Sequence, residues 1–160
     1  MAQLLITGGA GFIGSHACLS FLEAGHNLVV IDNYSNGSVE ALKRVTQLAG
    51  LENSSKQLKL VEGDICNRSD LDNAFRFGNG VIDAVVHFAG LKAVGESIST
   101  PLKYWNANVK GSLYLLEAMQ RNNCHTIVFS SSATVYGFPK ELPISENALI
   151  NPINPYGKTK

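Results

Sequence analysis

The sequence has no surplus of either charge: thirteen lysines and arginines balance thirteen aspartates and glutamates across 160 residues. Recognition of nucleic acid or of an acidic membrane surface needs a basic patch, so neither partner is expected. Cysteine is scarce, and Cys18, Cys66 and Cys124 are odd in number, widely spread and without a C-x-x-C pair. That argues against a disulfide framework or a zinc site and leaves free thiols in a reducing compartment as the expectation. His16, His26 and His125 have no metal-ligand spacing, so no metal is expected, and His87, at a strand end, reads as a buried, satisfied residue. No apolar run approaches the roughly 20 residues that span a bilayer. Met1-Ala2-Gln3 passes directly into Leu4-Leu5-Ile6 with neither a basic flank nor a cleavage site, so no secretory leader is expected. Repeats, low-complexity tracts and a second-domain linker are also missing. One cytoplasmic domain follows, with 45% apolar residues to build its core.

What is there is an alternation. Leu4–Thr7 is a compact apolar run, and a glycine-rich stretch follows from Gly8 to Gly14. Apolar residues then recur at helical spacing from Phe12 until Gly25, a natural C-cap. Leu28–Ile31 is a second strand ended by Asp32, Asn33–Ser38 is turn chemistry, and Val39–Ala49 is helical before a Gly and Asn/Ser region. A third strand is expected at Leu58–Val61, a helix at Ser69–Phe77 with Ser69 or Asp70 as N-cap, and a buried fourth strand at Asp83–Phe88. A polar loop, a long helix over about Leu102 to Arg121 and a fifth strand at Thr126–Ser130 complete the pattern. Tyr104 and Trp105 read as packing residues of that helix. Residues 137–154, with Pro139, Pro143 and Pro152, read as an ordered surface loop. Strand alternating with helix five times predicts an α/β fold, a Rossmann-like doubly wound parallel sheet that stops after about five strands. Apolar strands without alternation fit burial on both faces.

Gly9-Ala10-Gly11-Phe12-Ile13-Gly14 satisfies G-x-G-x-x-G between a strand and a helix. Glycine permits the tight turn and a close approach of the backbone to a pyrophosphate, and the helix start then offers unpaired N–H groups. Asp32 follows eighteen residues after Gly14 and ends the second strand. A carboxylate there accepts hydrogen bonds from ribose hydroxyls and repels a 2′-phosphate, favouring NAD over NADP. The alternative is a non-binding α/β protein with Asp32 as a turn residue.

Tyr156 and Lys160 form a Y-x-x-x-K pair, which a helix would place on one face. Free phenols ionise near pH 10, too high for a base at neutral pH, and nearby positive charge brings phenols down into range. Such a pair alone could equally be a solvated helix face. Its context is Ser130-Ser131-Ser132, at the C-terminal end of the fifth strand, where open parallel sheets bind ligands.

Gly8-x-x-Gly11-x-x-Gly14, Asp64-Ile65, Phe88-Ala89-Gly90 and Asn108-Val109-Lys110-Gly111 resemble the extended short-chain dehydrogenase/reductases. His87-Phe-Ala-Gly-Leu-Lys-Ala-Val-Gly-Glu-Ser97, Ser130–Gly137 and Asn154–Lys160 are similar to the UDP-glucose 4-epimerases of that family. The resemblance covers essentially the whole chain, about half of a typical member. It implies NAD held by Gly8, Gly11, Phe12, Ile13 and Gly14, by Asp32, Asn33 and Asn36, and by Asp64 and Ile65. It further implies contacts from Phe88, Ala89, Gly90, Asn108, Tyr156 and Lys160. Lys92 has two readings, a contact to cofactor or substrate phosphates and a solvated loop lysine. The implied catalytic residues are Ser132, Tyr156 as base and Lys160 as its helper, with Thr134 at the sugar of a UDP-hexose.

Related sugar-nucleotide dehydratases carry Asp-Glu where this chain has Ala133 and Thr134, and elimination needs such an acid–base pair. The implied reaction is therefore interconversion of UDP-galactose and UDP-glucose: C4 is oxidised, the ketohexose turns over, and hydride returns to the other face. Helices flanking the sheet would offer a homodimer contact. Because members of the family continue into a C-terminal lobe, two alternatives stay open, a catalytically inactive NAD-binding module and an epimerase of another UDP-hexose.

Overall fold

Among the described residues, the alternating segments build a wholly parallel five-stranded sheet in which the third, second, first, fourth and fifth strands of the sequence lie side by side in that order. The computed structural model describes residues 1–51, 56–77 and 81–160. Its strands are β1 (Gln3–Thr7), β2 (Asn27–Asp32), β3 (Leu58–Glu62), β4 (Ala84–His87) and β5 (Ile127–Phe129). Helices α1 (Phe12–Glu23) and α2 (Val39–Leu48) cover one face, and α3 (Arg68–Phe77) and α6 (Gly111–Arg121) the other. Neighbouring strand residues point to opposite faces, so a strand covered on both sides must be apolar throughout. Leu5, Val29, Ile31 and Val85 accordingly pack with Leu71, Phe75 and Leu115. Leu4, Ile6, Leu28, Val30 and Val86 pack with Cys18, Leu22, Leu42 and Val45.

Gly25 closes α1 as expected. At φ +83° it donates its N–H to Leu22 O at 2.9 Å while His26 N–H reaches Phe21 O at 3.0 Å, the paired bonds of a Schellman ending. The Asn/Ser-rich stretch expected after α2 includes 52–55, which lie outside the described residues.

Several local expectations change. The first helical residue of α3 is Arg68, and its leading N–H groups find Asn67, whose Oδ1 accepts Ser69 N–H at 3.0 Å. Neither Ser69 nor Asp70 caps it, and Asp70 instead accepts Asp64 N–H at 2.9 Å. The polar loop after β4 contains a short helix, α4 (Val94–Ser99). Pro101, with no N–H to satisfy, then opens α5 (Pro101–Tyr104). The long helix is continuous in sequence but not uniform: Trp105–Lys110 is π-helical, and Gly111 N–H bonds Asn106 O, five residues back. Finally, α7 (Pro155–Lys158) ends before Lys160, so the tyrosine and lysine do not share a helix face. Residues 137–154 hold no helix or strand, and Asn151 N–H pins them to Val135 O at 2.9 Å.

Candidate functional site

The chain leaves β1 toward β2 on one side, while β4 lies on the other, so a crevice opens where the C-terminal ends of β1 and β4 diverge. A cavity of about 690 Å³ occupies that edge. Gly8 makes the crevice close: at φ +71°, any Cβ would stand 2.6 Å from the Ala89 nitrogen at the end of β4. Gly14 keeps α1 equally close to the loop, since a Cβ there would come within 2.2 Å of Gly8 O. Gly11 precedes α1 with no side-chain cap and no acidic residue in the first turn. The leading N–H groups of α1 therefore face the cavity as an anion site without a competing carboxylate.

At one end of the cavity, Asp32 braces the glycine loop. Its Oδ2 accepts Ala10 N–H and its Oδ1 accepts Tyr34 N–H, each at 2.9 Å. Asn33 Nδ2 donates to Asp64 Oδ2 at 2.9 Å, and Asp64 Oδ1 accepts Cys66 N–H at 2.7 Å. The ends of the neighbouring strands β2 and β3 are thus tied together on the β1 side of the crevice. These residues fit an adenosine ribose, with backbone donors on one side and carboxylates on the other.

At the other end Ser130 lines the cavity, and Ser131, Ser132 and the Tyr–Lys pair stand behind it. Lys160 Nζ donates to Ser130 O at 3.0 Å, and Ser131 Oγ–H reaches Lys160 O at 3.3 Å. Burial draws the Lys160 ammonium below its ordinary pKa. Ser132 Oγ accepts both the N–H and the hydroxyl of Thr134, at 3.3 and 2.9 Å. Tyr156 is buried at 8% exposure, its ring edge-on to Tyr104 with centroids 6.4 Å apart. Tyr104 OH accepts Ala93 N–H at 3.1 Å and donates to Glu96 Oε2 at 2.8 Å, and Lys103 Nζ holds the other Glu96 oxygen at 2.5 Å. Burial first, and then the Glu96 carboxylate, raise the Tyr104 pKa.

Asn108 joins the two halves from behind. Its Oδ1 accepts Leu91 N–H at 2.8 Å, and its Nδ2 donates to Leu91 O and to Thr159 Oγ1, each at 2.9 Å.

The GDP-mannose 4,6 dehydratase family model matches residues 5–160. The chain belongs to that family. Among curated relatives, UDP-glucose 4-epimerase 2 of Arabidopsis thaliana is 52% identical over 158 residues, 99% of this chain and 44% of the relative. UDP-glucose 4-epimerase of Bacillus subtilis is 50% identical over 98% of this chain and 44% of its own length. The chain thus spans less than half the length of these relatives. Among solved structures, UDP-glucose 4-epimerase from Stenotrophomonas maltophila, with bound NAD and formylated UDP-arabinopyranose, superposes with a TM-score of 0.91. It is 41% identical, over 100% of this chain and 46% of that one. The Bifidobacterium longum enzyme, in complex with NAD+ and UDP, also gives 0.91, at 45% identity over 99% of this chain and 45% of its own.

Against this family background the expected residues fall into two groups. Gly8, Gly11, Phe12, Ile13 and Gly14 line the cavity, as do Asp32, Asn33, Asn36, Asp64, Ile65, Phe88, Ala89, Gly90 and Lys92. Asn108, Ser132, Thr134, Tyr156 and Lys160 do not line it; Lys160 is joined to it through Ser130, which does. All the hydrogen-bonding capacity of the Asn108 amide nitrogen is taken by Leu91 and Thr159, so it braces the wall. Glu96, Lys103 and Tyr104 line the cavity without having been expected there. Their seven- and eight-residue spacings cross a helix break, which no single periodicity reveals. Only Thr100-Pro101, a helix-start signal, hinted at the break.

Proposed function

We propose that this chain forms the NAD-binding region of a UDP-hexose 4-epimerase that interconverts UDP-galactose and UDP-glucose, an enzyme of galactose metabolism in the cytoplasm. The observation that carries the reading is continuity. One cavity runs from the uncapped start of α1 past Asp32 and Lys92 to Ser130, whose carbonyl holds the Lys160 ammonium. A pyrophosphate fits the α1 end, and Asp32 fits a ribose that carries free hydroxyls. When bound, the nicotinamide supplies acceptance of the C4 hydride and its return.

The chain's own residues do the rest. Tyr156 takes the proton of the C4 hydroxyl as hydride leaves carbon, and gives it back when hydride returns. Lys160, positioned by Ser130 O, is the helper of Tyr156 in that step. Ser132, its oxygen already occupied as an acceptor from Thr134, keeps its proton for the reacting sugar oxygen. Ala133 and Thr134 provide no acid–base pair for elimination, which supports epimerisation over the dehydration named in the family's description. Lys92, in the cavity wall, contacts cofactor or substrate phosphate. Exposed Leu102, Leu113 and Leu116 on the rod from α5 to α6 support a homodimer contact there. No helix among the described residues is long and apolar enough to cross a membrane.

The test is a fluorescence titration with NADH and with NADPH, followed by a UDP-galactose turnover assay on the protein. Tighter binding of NADH together with formation of UDP-glucose supports the proposal. Equal binding of the two cofactors overturns the role of Asp32, and NADH binding without turnover leaves only the binding module.

A further inference from the structure

A buried histidine that meets neither the expected cofactor contacts nor the sugar contacts is wired between the two. His87, the last residue of β4, is 1% exposed. Its Nδ1 lies 2.6 Å from Thr7 Oγ1, and its Nε2 lies 2.8 Å from Ser112 Oγ. Ser112 has a single proton and donates it to Asn108 O at 2.5 Å. The serine can therefore only accept from the imidazole, which puts the ring proton on Nε2. Nδ1 is then bare, so Thr7 must donate to it, while the Thr7 oxygen accepts Ala89 N–H at 3.2 Å. Four hydrogen bonds run in one direction, from Ala89 N–H through Thr7, His87 and Ser112 to the Asn108 carbonyl. A protonated ring would carry a second donor toward the Thr7 hydroxyl and reverse the Thr7–His87 bond. Burial, assisted by the Lys160 charge, lowers the His87 pKa to about 4 and keeps the ring neutral.

One end of this chain lies in the cavity wall and the other directly behind it. Ala89 is in the cavity wall beside Gly8. Asn108 lies in the π-helical turn, and its side chain holds Leu91 on one side and Thr159, in the Tyr156–Lys160 segment, on the other. The orientation of that turn decides where the amide points. π-Turns within α-helices occur frequently at functional sites, and here the Ser112 hydroxyl anchors a carbonyl of the turn.

We infer that His87 is a positioning residue: as one fixed tautomer it locks the end of β1 and the Ala89 wall to the Asn108 turn, and so sets the Leu91 loop and the segment bearing Tyr156 and Lys160. The kinetic side of this inference rests on the epimerase reading, and the hydrogen-bond chain does not.

The chain is read directly by 15N NMR of the histidine-labelled protein. The His87 resonances, assigned by their loss in His87→Gln, are expected to show a protonated Nε2, a bare Nδ1 and no titration between about pH 5.5 and 8, although a free imidazole titrates near 6.5. A proton on His87 Nδ1, or titration of His87 in that range, overturns the inference. Kinetics supply the second arm. Ser112→Ala removes the link to Asn108, whereas Ser112→Thr keeps the hydroxyl. Displacement of positioned groups by a fraction of an ångström predicts a roughly tenfold loss of kcat in the alanine variant, with KM and NADH affinity within about twofold. The threonine variant is expected to recover most of it. An unchanged kcat in Ser112→Ala, or an equal loss in both variants, overturns the positioning role. NADH binding without wild-type turnover of UDP-galactose removes the activity reading alone, and the NMR result then decides the hydrogen-bond chain.

Discussion

The closeness of the glycine loop can be tested with a single carbon at Gly14. A Cβ there would stand 2.2 Å from Gly8 O and 2.7 Å from Gly9 Cα. Unstrained contacts of this kind lie near 3.5 Å, so the overlap is about 1 Å, and both neighbours are backbone atoms with no rotamer to escape into. Adding one carbon to a packed site costs about 1–3 kcal/mol, and backbone neighbours place Gly14→Ala at the upper end. About 3 kcal/mol corresponds to a Tm lower by roughly 6–12 °C in a domain of this size. Relief comes from moving α1 away from the loop, which also moves the N–H groups proposed to meet pyrophosphate. NADH affinity is then expected to fall at least tenfold, since each factor of ten is about 1.4 kcal/mol. Gly95→Ala is the matched control: nothing lies within 4 Å of its Cβ, and it sits in α4, where alanine outranks glycine by up to about 1 kcal/mol. The assay is thermal unfolding followed by circular dichroism, with an NADH fluorescence titration on both variants. Wild-type Tm and affinity in Gly14→Ala, or equal losses in Gly95→Ala, would refute the close-approach argument.

Three further outcomes follow from the same geometry. Asp32→Ala removes both the acceptor proposed for the ribose hydroxyls and the brace on Ala10 N–H, and bonds to a charged group are each worth about 1.5–3 kcal/mol, so both cofactors should weaken, NADH roughly ten- to hundredfold and more than NADPH; an unchanged ratio of NADH to NADPH affinity in the fluorescence titration would count against the ribose role. Cys66 lines the cavity half-buried while Cys18 and Cys124 are buried, so iodoacetamide should modify Cys66 first, slowly because burial and then Asp64 raise its thiol pKa, and NADH should protect it. Peptide mapping that finds Cys18 modified first, or no protection, contradicts the cavity assignment. Because His87 titrates at about 4 when folded and near 6.5 when unfolded, the unfolded chain binds the extra proton between those values. Stability is then fully present above about 6.5 and falls by up to about 1.4 kcal/mol per pH unit as pH drops toward 4; urea melts across that range should show a shallower acid slope for His87→Gln, and parallel slopes would exclude His87 as the source.

Much of the glycine-loop half of the cavity was legible because its signals are local. A strand, a glycine spacing and an acid at the next strand end are each set by a few consecutive residues, and the structure brings Gly8, Gly14, Asp32 and Asp64 to one crevice. The far half was less legible because its contacts join segments distant in sequence. Glu96 meets Tyr104 across a helix break, and Asn108 meets Thr159 fifty-one residues on. The π-helical turn left no mark in the apolar pattern, since Leu113, Leu115 and Leu116 fit an uninterrupted helix equally well. The cap of α3 was missed by two or three residues because Asn67, Ser69 and Asp70 are all good caps in isolation, and only the bonds from Ser69 to Asn67 Oδ1 and from Asp64 N–H to Asp70 separate them.

The amide at Asn108 follows from the donors and acceptors it must meet. Leu91 N–H needs an acceptor, and Leu91 O needs a donor. Thr159 Oγ1 spends its own proton on Tyr156 O at 2.7 Å, so it too needs a donor. One acceptor and two donors on a short stem describe asparagine. Aspartate offers no donor and would set a carboxylate oxygen against Leu91 O, lysine offers no acceptor, and glutamine is a methylene too long for a residue 3% exposed. The requirement is stringent because α7 has only four residues, too few to hold itself as an isolated helix. Its stability comes from outside: Asn154 Oδ1 accepts Gly157 N–H at 2.8 Å, Lys160 rests on Ser130 O, and Asn108 holds Thr159. The segment carrying the proposed base is therefore only as well placed as the π-turn behind it, which gives the buried histidine at the end of β4 its leverage on the site.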